Sequence, residues 1–115
     1  MATAVRPLPF RCEVQPERER VILRVAGELD LAKAPIIDDE LTHLGDVGFE
    51  RIVVDLRGVS FIDSTGLKIL LTHRVRLHER GATLTIVPGP RQVEQVFELT
   101  GTAPLFTFVD AGSLR

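Results

Sequence analysis

One stretch near the middle of the chain, residues 52–71, constrains the fold more than any other part of the sequence. Residues 52–54 form an apolar, β-branched run, which is typical of a strand buried on both faces. Residues 63–66, Asp-Ser-Thr-Gly, then precede a run of helix-forming residues. Asp, Ser and Thr accept hydrogen bonds from the free N–H groups of a first helical turn. The pattern predicts a strand followed by a helix N-terminus, a place where an anion could be held or made.

The same stretch predicts a structured loop between that strand and that helix. We expect the loop to carry buried apolar anchors at Val59, Phe61 and Ile62.

Composition excludes several classes of protein. At 115 residues the chain is long enough for one domain with a real core, and we take residues 1–115 as that domain, with 1–9 as a flexible N-terminal segment. A net charge of −2 gives no reason to expect nucleic acid or an anionic membrane as a partner. The apolar runs are far shorter than a membrane span, and the N-terminus lacks a secretory signal, which predicts a cytoplasmic protein. The lone Cys12 is expected to be a small apolar residue of an edge strand.

Apolar periodicity and turn residues predict an α/β domain. The order of elements implies an N-terminal hairpin followed by right-handed parallel crossovers, hence a mixed, mostly parallel sheet with helices packed on it. We expect strands at residues 10–14, 20–27, 49–56, 82–87 and 105–109, and helices at 32–44, 67–80 and 91–100.

The second predicted helix has one broad apolar face. That face comprises Leu67, Leu70, Leu71, Val75 and Leu77, and a shared core with Ile52, Val54, Leu84 and Phe97 is expected. Arg74 falls within the apolar arc, so its stem should pack while its charged end reaches solvent. Ile69 points away from the arc, so it is expected either to be exposed near Ser64 or to pack against a neighbouring helix.

Catalytic and metal chemistry find little support in the sequence. A hydrolytic triad needs a histidine close to its serine, but His73 and His78 lie about 14 to 21 Å along the predicted helix from Ser64. The histidines lack paired metal-binding spacing and Cys12 has no second cysteine, so no metal site is expected. Glycine-rich phosphate loops are absent, so autonomous nucleotide hydrolysis has no visible basis. We expect no cofactor, and we do not expect the chain to be an enzyme.

The residue types of the 63–66 motif fit a simple helix cap, but a wider resemblance points further. Residues 53–67, Val-Val-Asp-Leu-Arg-Gly-Val-Ser-Phe-Ile-Asp-Ser-Thr-Gly-Leu, resemble the signature stretch of STAS domains of the bacterial anti-sigma factor antagonist family. Gly-Glu-Leu-Asp at 27–30, Arg-Gly at 80–81 and Val-Phe-Glu-Leu-Thr-Gly at 96–101 resemble further family blocks in the same order.

The resemblance implies a binding switch. The unphosphorylated antagonist binds an anti-sigma factor that is also a GHKL-type serine kinase, and thereby frees a sigma factor. Phosphorylation, here at Ser64, ends that binding until a serine phosphatase removes the phosphate, and ATP belongs to the kinase. Asp30 matches a family aspartate beside the acceptor, so Asp30, Asp63, Thr65 and Gly66 form the expected surroundings of Ser64.

Lys68 and Ile69, on the outward side of the helix, are the expected partner-binding residues. Lys68 stands where many members have glycine, and residues 102–104, Thr-Ala-Pro, depart from the usual apolar continuation. Two alternatives stay open: a non-switching scaffold or transporter-associated STAS subunit, and a STAS domain that binds a small molecule or nucleotide.

Overall fold

The structure is a computed structural model that describes residues 9–114. The flexible segment expected at residues 1–9 falls, except for Pro9, outside the described residues. Within residues 9–114 four strands form one sheet in the order β1 (Arg11–Pro16), β2 (Val21–Leu29), β3 (Arg51–Ile62) and β4 (Thr83–Val87). β1 is antiparallel to β2, whereas β2, β3 and β4 run parallel. The predicted mixed, mostly parallel sheet with an N-terminal hairpin is confirmed.

Three helices are present as predicted, with shifted ends, and the first two connect the parallel strands. In order they are α1 (Ala34–Val47), α2 (Ser64–Glu79) and α3 (Arg91–Leu99). α1 carries its proline in the first turn and ends at Gly48, whose φ of 101° is the left-handed conformation that glycine adopts without strain. α2 begins at Ser64, three residues earlier than predicted, because the cap precedes the apolar run.

The central strand β3 corrects the predicted loop after residue 56. β3 continues to Ile62 and stays paired with β2 through register shifts between Arg24 and Ala26 and between Gly27 and Glu28. Val59 and Ile62 are buried as expected, but the side chain of Phe61 is 48% exposed. The prediction of Phe61 as a buried anchor is wrong because the second register shift leaves Ser60 without a partner in β2 and places Phe61 opposite the exposed Glu28.

The main core lies between the helices and one face of the sheet, and it contains the five residues predicted to share it. Ile52, Val54, Leu70, Leu84 and Phe97 are all buried there. The opposite face is covered by the C-terminal segment, where Leu114 packs on Ile22, Val53 and Val87. The sheet is thus buried on both faces, as the β-branched run of β3 predicted.

The apolar face of α2 differs from the prediction at two positions. Val75 is 43% exposed, whereas His73 is 3% exposed and takes a place in the buried face. Of the two positions expected for Ile69, the structure has the packed one, since Ile69 is half-buried against the main core.

The last predicted strand, at residues 105–109, is reduced to one bridge. Ala103–Leu105 form a turn of 3₁₀ helix, and Phe108 alone pairs with Ile86 in parallel. Aromatic packing also holds this segment, since the rings of Phe106 and Phe108 both stand edge-on to Phe97 at 5.3 and 5.4 Å.

Candidate functional site

Asp63 lies between β3 and α2 and is the N-cap of that helix. Its Oδ1 atom accepts the main-chain N–H of Gly66 at 3.0 Å. Its Oδ2 atom accepts the N–H of Leu31, in the β2–α1 connection, at 3.1 Å. The N–H of Asp63 donates to the carbonyl of Leu29 at 3.3 Å. The cap that the sequence predicted is therefore present, and it also fastens α2 to a second connection.

Ser64 is the first residue of α2 and is exposed to solvent. Its hydroxyl makes no hydrogen bond within residues 9–114. The side-chain cap of α2 is provided by Asp63. Thr65 follows and is half-buried. Of the two adjacent hydroxyl residues, Ser64 is the more accessible to a second protein.

Gly66 is buried at the point where α2 touches the end of β2. A Cβ atom at this position would lie 3.0 Å from side-chain atoms of Ile62 and Leu29 and 3.1 Å from the carbonyl of Leu29. Any larger residue would push the first turn of α2 away from the sheet. The glycine thus sets how closely the Ser64 turn lies to the strand ends.

Asp30 directly follows β2, as Asp63 directly follows β3, and the last residues of the two strands, Leu29 and Ile62, are paired. The carboxylate of Asp30 accepts the N–H of Lys33 at 3.1 Å. The parallel strands therefore bring both aspartates and Ser64 to one edge of the sheet. Within the described residues Asp30 forms no hydrogen bond with Ser64, and its observed contact holds the turn that leads into α1.

The electrostatics of this edge combine opposing effects. The first turn of α2 provides free N–H groups and the positive end of the helix dipole, which favour an anion by about 0.3–1 kcal/mol. Asp63 is adjacent to Ser64 and Asp30 lies at the same edge, and both carboxylates repel an anion. The edge is therefore able to carry a phosphate without gaining strong affinity for one.

Two apolar residues at this edge are exposed, although neither of them was predicted to be exposed. Leu31 is 70% exposed, and Phe61 is 48% exposed. The sequence signal for Leu31 was present, since an apolar residue stands alone between Asp30 and Ala32 in a connection that has no helical or strand periodicity. Of the predicted partner-binding residues, Lys68 is exposed and Ile69 is half-buried.

A second charged cluster lies within the sheet, on the adjacent strands β2 and β3. Asp55 is 4% exposed, and the guanidinium of Arg57 donates to both of its carboxylate oxygens at 3.0 and 2.9 Å. Arg24 lies 3.7 Å away. Burial by itself would raise the pKa of Asp55, but the hydrogen bonds from Arg57 and the charges of both arginines hold that pKa below its ordinary value.

The remaining candidate groups support neither a nucleophile nor a metal. Burial, with the nearby charge of Glu40, raises the pKa of Cys12 to about 11, so the thiol stays protonated near neutral pH. His73 is engaged 2.6 Å from Asp38 between α2 and α1, far along the helix from Ser64. Residues 9–114 contain no cluster of His, Cys, Asp and Glu side chains that could hold a metal ion. No helix in this part of the chain has the length and apolar content needed to cross a membrane.

Comparison with known proteins agrees with this geometry. Residues 12–111 match the family model of the STAS domain. An anti-sigma-B factor antagonist of Staphylococcus aureus is 32% identical over 83 residues, which are 72% of this chain and 77% of that relative. Two structures of SpoIIAA share the fold. The unphosphorylated anti-sigma factor antagonist gives a TM-score of 0.74 at 23% identity and covers 92% of each chain. The phosphorylated Bacillus form gives 0.69 at 22% identity and covers 92% of this chain and 96% of that one.

Proposed function

This chain belongs to the STAS domain family, and we propose that it is a cytoplasmic anti-sigma factor antagonist whose binding is switched off by phosphorylation of Ser64. The observation that carries the proposal is the state of the Ser64 hydroxyl, which is exposed and takes no part in the helix cap. A serine that capped α2 would have to give up a structural bond to be modified. Here Asp63 has that role, so Ser64 can change its charge without opening the helix.

The partner supplies the phosphate and the catalysis. An anti-sigma factor with GHKL-type serine kinase activity provides ATP, and the Ser64 oxygen forms a bond to the γ-phosphorus while the bond to the ADP oxygen breaks. The hydroxyl proton passes to a base of the kinase or to water, and a serine phosphatase later hydrolyses the ester. This chain contributes an accessible oxygen and a helix terminus that accommodates the product, so it is a regulatory binding module and no enzyme.

The docking surface surrounds Ser64 on the same edge of the sheet. Lys68, one turn further along α2, is exposed and supplies a positive charge. Leu31 and Phe61 supply exposed apolar area on the neighbouring connections, which suits the apolar anchors of a protein interface. Ile69 is a weaker anchor because much of its side chain is already buried against the core.

The deciding experiment maps the phosphate. The chain is incubated with candidate GHKL-type anti-sigma kinases and ATP, and the modified residue is identified by mass spectrometry. We expect one phosphate on Ser64, none on Ser64→Ala, and unchanged modification of Thr65→Ala. A phosphate on Thr65, or no phosphate with a kinase that nevertheless binds the chain, would contradict the switch and favour a non-switching STAS scaffold.

A further inference from the structure

A cavity of about 360 Å³ opens along the outer edge of β4, at the end of the sheet opposite to Ser64. Its basic side chains come from separate parts of the chain: Arg20 precedes β2, Arg51 begins β3, and Arg74 and His78 lie on α2. The three arginines supply its positive charge. No carboxylate lines it among the described residues, whereas four other clefts of the protein each contain an aspartate or a glutamate. Among the described residues the cavity therefore differs from those clefts in having arginine side chains and no carboxylate in its lining.

The positive charge of this cavity is only partly neutralised. Arg20 donates hydrogen bonds to Glu17 at 2.7 Å and to the carbonyl of Ser113 at 2.6 Å. Its side chain is therefore held in place at the wall of the cavity. The ion pair of Arg51 with Glu19 is 3.8 Å long and exposed on both sides, and such pairs are weak. Arg74 is half-buried and forms no ion pair within residues 9–114. Arg51 and Arg74 thus remain able to bind an anion.

The edge of β4 adds a main-chain donor to the cavity. The N–H of Thr83 donates inward to Glu50, and the N–H of Ile86 donates outward to Thr107. Because N–H directions alternate along a parallel strand, the N–H of Leu84 points to the same outer side as that of Ile86. The pairing with residues 107–109 reaches only Ile86, so Leu84 faces the cavity that it lines. Thr83 and Thr85 also line the cavity.

We propose that this cavity binds a small phosphate-bearing molecule. Guanidinium groups donate two parallel hydrogen bonds to phosphate oxygens, and Arg51 and Arg74 offer two such groups to one ligand. The volume lies at the lower end of the range for small-molecule sites, which fits a diphosphate better than a large cofactor. Arg74 is ten residues beyond Ser64, about 15 Å along the helix. The ligand therefore occupies a site separate from the phosphorylated serine.

Calorimetric titration with pyrophosphate in about 0.15 M salt, where surface attraction is largely screened, tests the proposal. We expect saturable binding with one site per chain, weakened tenfold or more by Arg74→Gln and also by Arg51→Gln. Arg76→Gln is the matched control, because Arg76 is exposed on the same helix outside the cavity, and it should change affinity less than twofold. Circular dichroism checks that each variant folds. If Arg74→Gln does not fold, Arg51→Gln tests the proposal by itself, because the side chain of Arg51 is exposed.

Parallel titrations with inorganic phosphate and ADP distinguish a free phosphate from a nucleotide as the ligand class. Absence of binding for all three probes would overturn the proposal, as would an equal loss of affinity in Arg76→Gln. The titrations need neither a kinase nor modification of Ser64, so their failure leaves the proposed switch untouched.

Discussion

The carboxylate of Asp63 joins two connections of the fold, since its Oδ2 atom accepts the N–H of Leu31 at 3.1 Å while Oδ1 accepts that of Gly66 at 3.0 Å. The connection containing Leu31 follows β2, and the turn containing Gly66 begins α2. Both emerge from adjacent parallel strands. A single side chain next to Ser64 thus sets the relative position of the two segments that a partner would contact.

Loss of this double contact should be measurable as stability. Asp63→Ala is expected to lower the free energy of unfolding by about 1–2 kcal/mol, the upper range for losing an N-cap. Asp63→Asn should cost less, because asparagine is a good N-cap whose single carbonyl oxygen can accept one of the two bonds. Urea denaturation measures both, with Asp39→Ala at an exposed position of α1 as control. A change below about 0.5 kcal/mol in Asp63→Ala, as at an ordinary surface site, would contradict the cap.

Sequence periodicity was sufficient to predict the mixed, mostly parallel sheet, the hairpin and the three helices, because the apolar runs there are regular. It failed at β3, where Arg57 and Gly58 interrupt the apolar pattern, yet register shifts let pairing with β2 continue to Ile62. The exposure of Phe61 follows from that continuation. The wrong prediction for Phe61 and the predicted end of the strand at residue 56 therefore have the same cause.

Contacts between elements that are distant in the chain could not be predicted from the sequence. His73 on α2 is buried and lies 2.6 Å from the carboxylate of Asp38 on α1. No local sequence pattern indicates that contact. Arg20, Arg51 and Arg74 are spread through the chain and converge on one cavity only after folding. The cap at Asp63 was predictable because it depends on neighbours within three residues, whereas its bond to Leu31 was not.

The Asp55 cluster predicts a pH dependence of stability. The folded-state pKa of Asp55 lies below its ordinary value, which is about 3.9 in an unfolded chain. Its stabilising effect is therefore complete above that value and is lost as the pH falls through the folded pKa. Asp55→Asn should cost about 1.5–3 kcal/mol at pH 7, as expected for hydrogen bonds to a charged group. The difference from wild type should shrink progressively as the pH falls below about 4.

Urea titrations of both proteins between pH 7 and pH 3 measure this, with Asp39→Asn as a control that lacks an ion pair within the described residues. If the difference in unfolding free energy between wild type and Asp55→Asn stayed constant over this pH range, the charge of Asp55 would not stabilise the fold.

The pair of His73 and Asp38 is expected to matter through the cost of leaving a buried ring without a partner. Asp38→Ala should destabilise the fold by about 1–3 kcal/mol, and the double variant Asp38→Ala/His73→Leu should recover most of that loss. A double-mutant cycle by urea denaturation measures the coupling, and His78→Leu, at an exposed position of α2, is the control. If the loss in the double variant equalled the sum of the losses in Asp38→Ala and His73→Leu alone, the pair would not be coupled.

The proposed docking surface predicts different behaviour for two apolar residues near Ser64. Leu31→Ala should weaken binding of the anti-sigma factor tenfold or more, about 1.4 kcal/mol, with little change in Tm, because Leu31 is 70% exposed. Ile69→Ala should lower Tm because Ile69 packs on the core. Leu99→Ala, 86% exposed at the end of α3, is the matched control and should leave affinity unchanged. If Ile69→Ala weakened binding at constant Tm while Leu31→Ala did not, the anchor would be Ile69, as the sequence suggested.

The charge of a phosphate on Ser64 should expel the partner and spare the fold. A phosphoserine carries roughly −1.5 to −2 charges at neutral pH, and the dipole of α2 offsets part of the repulsion from Asp63. A partner carboxylate about 6 Å away would meet several kcal/mol of repulsion at an effective dielectric near 20, before screening by salt. That corresponds to two or more orders of magnitude in affinity. The interface therefore responds far more strongly than the domain does.

Variants at Ser64 separate these two responses. We expect Ser64→Ala to bind the kinase without being released by ATP, and Ser64→Asp to bind it weakly, both with Tm close to wild type because the residue is exposed. Thr42→Asp adds the same charge at an exposed position of α1 and should bind normally. Surface plasmon resonance compares the affinities, and scanning calorimetry the stabilities. Equal kinase affinity of the phosphorylated and unphosphorylated chains would refute the switch, and a large fall in Tm for Ser64→Asp would locate the effect in the fold.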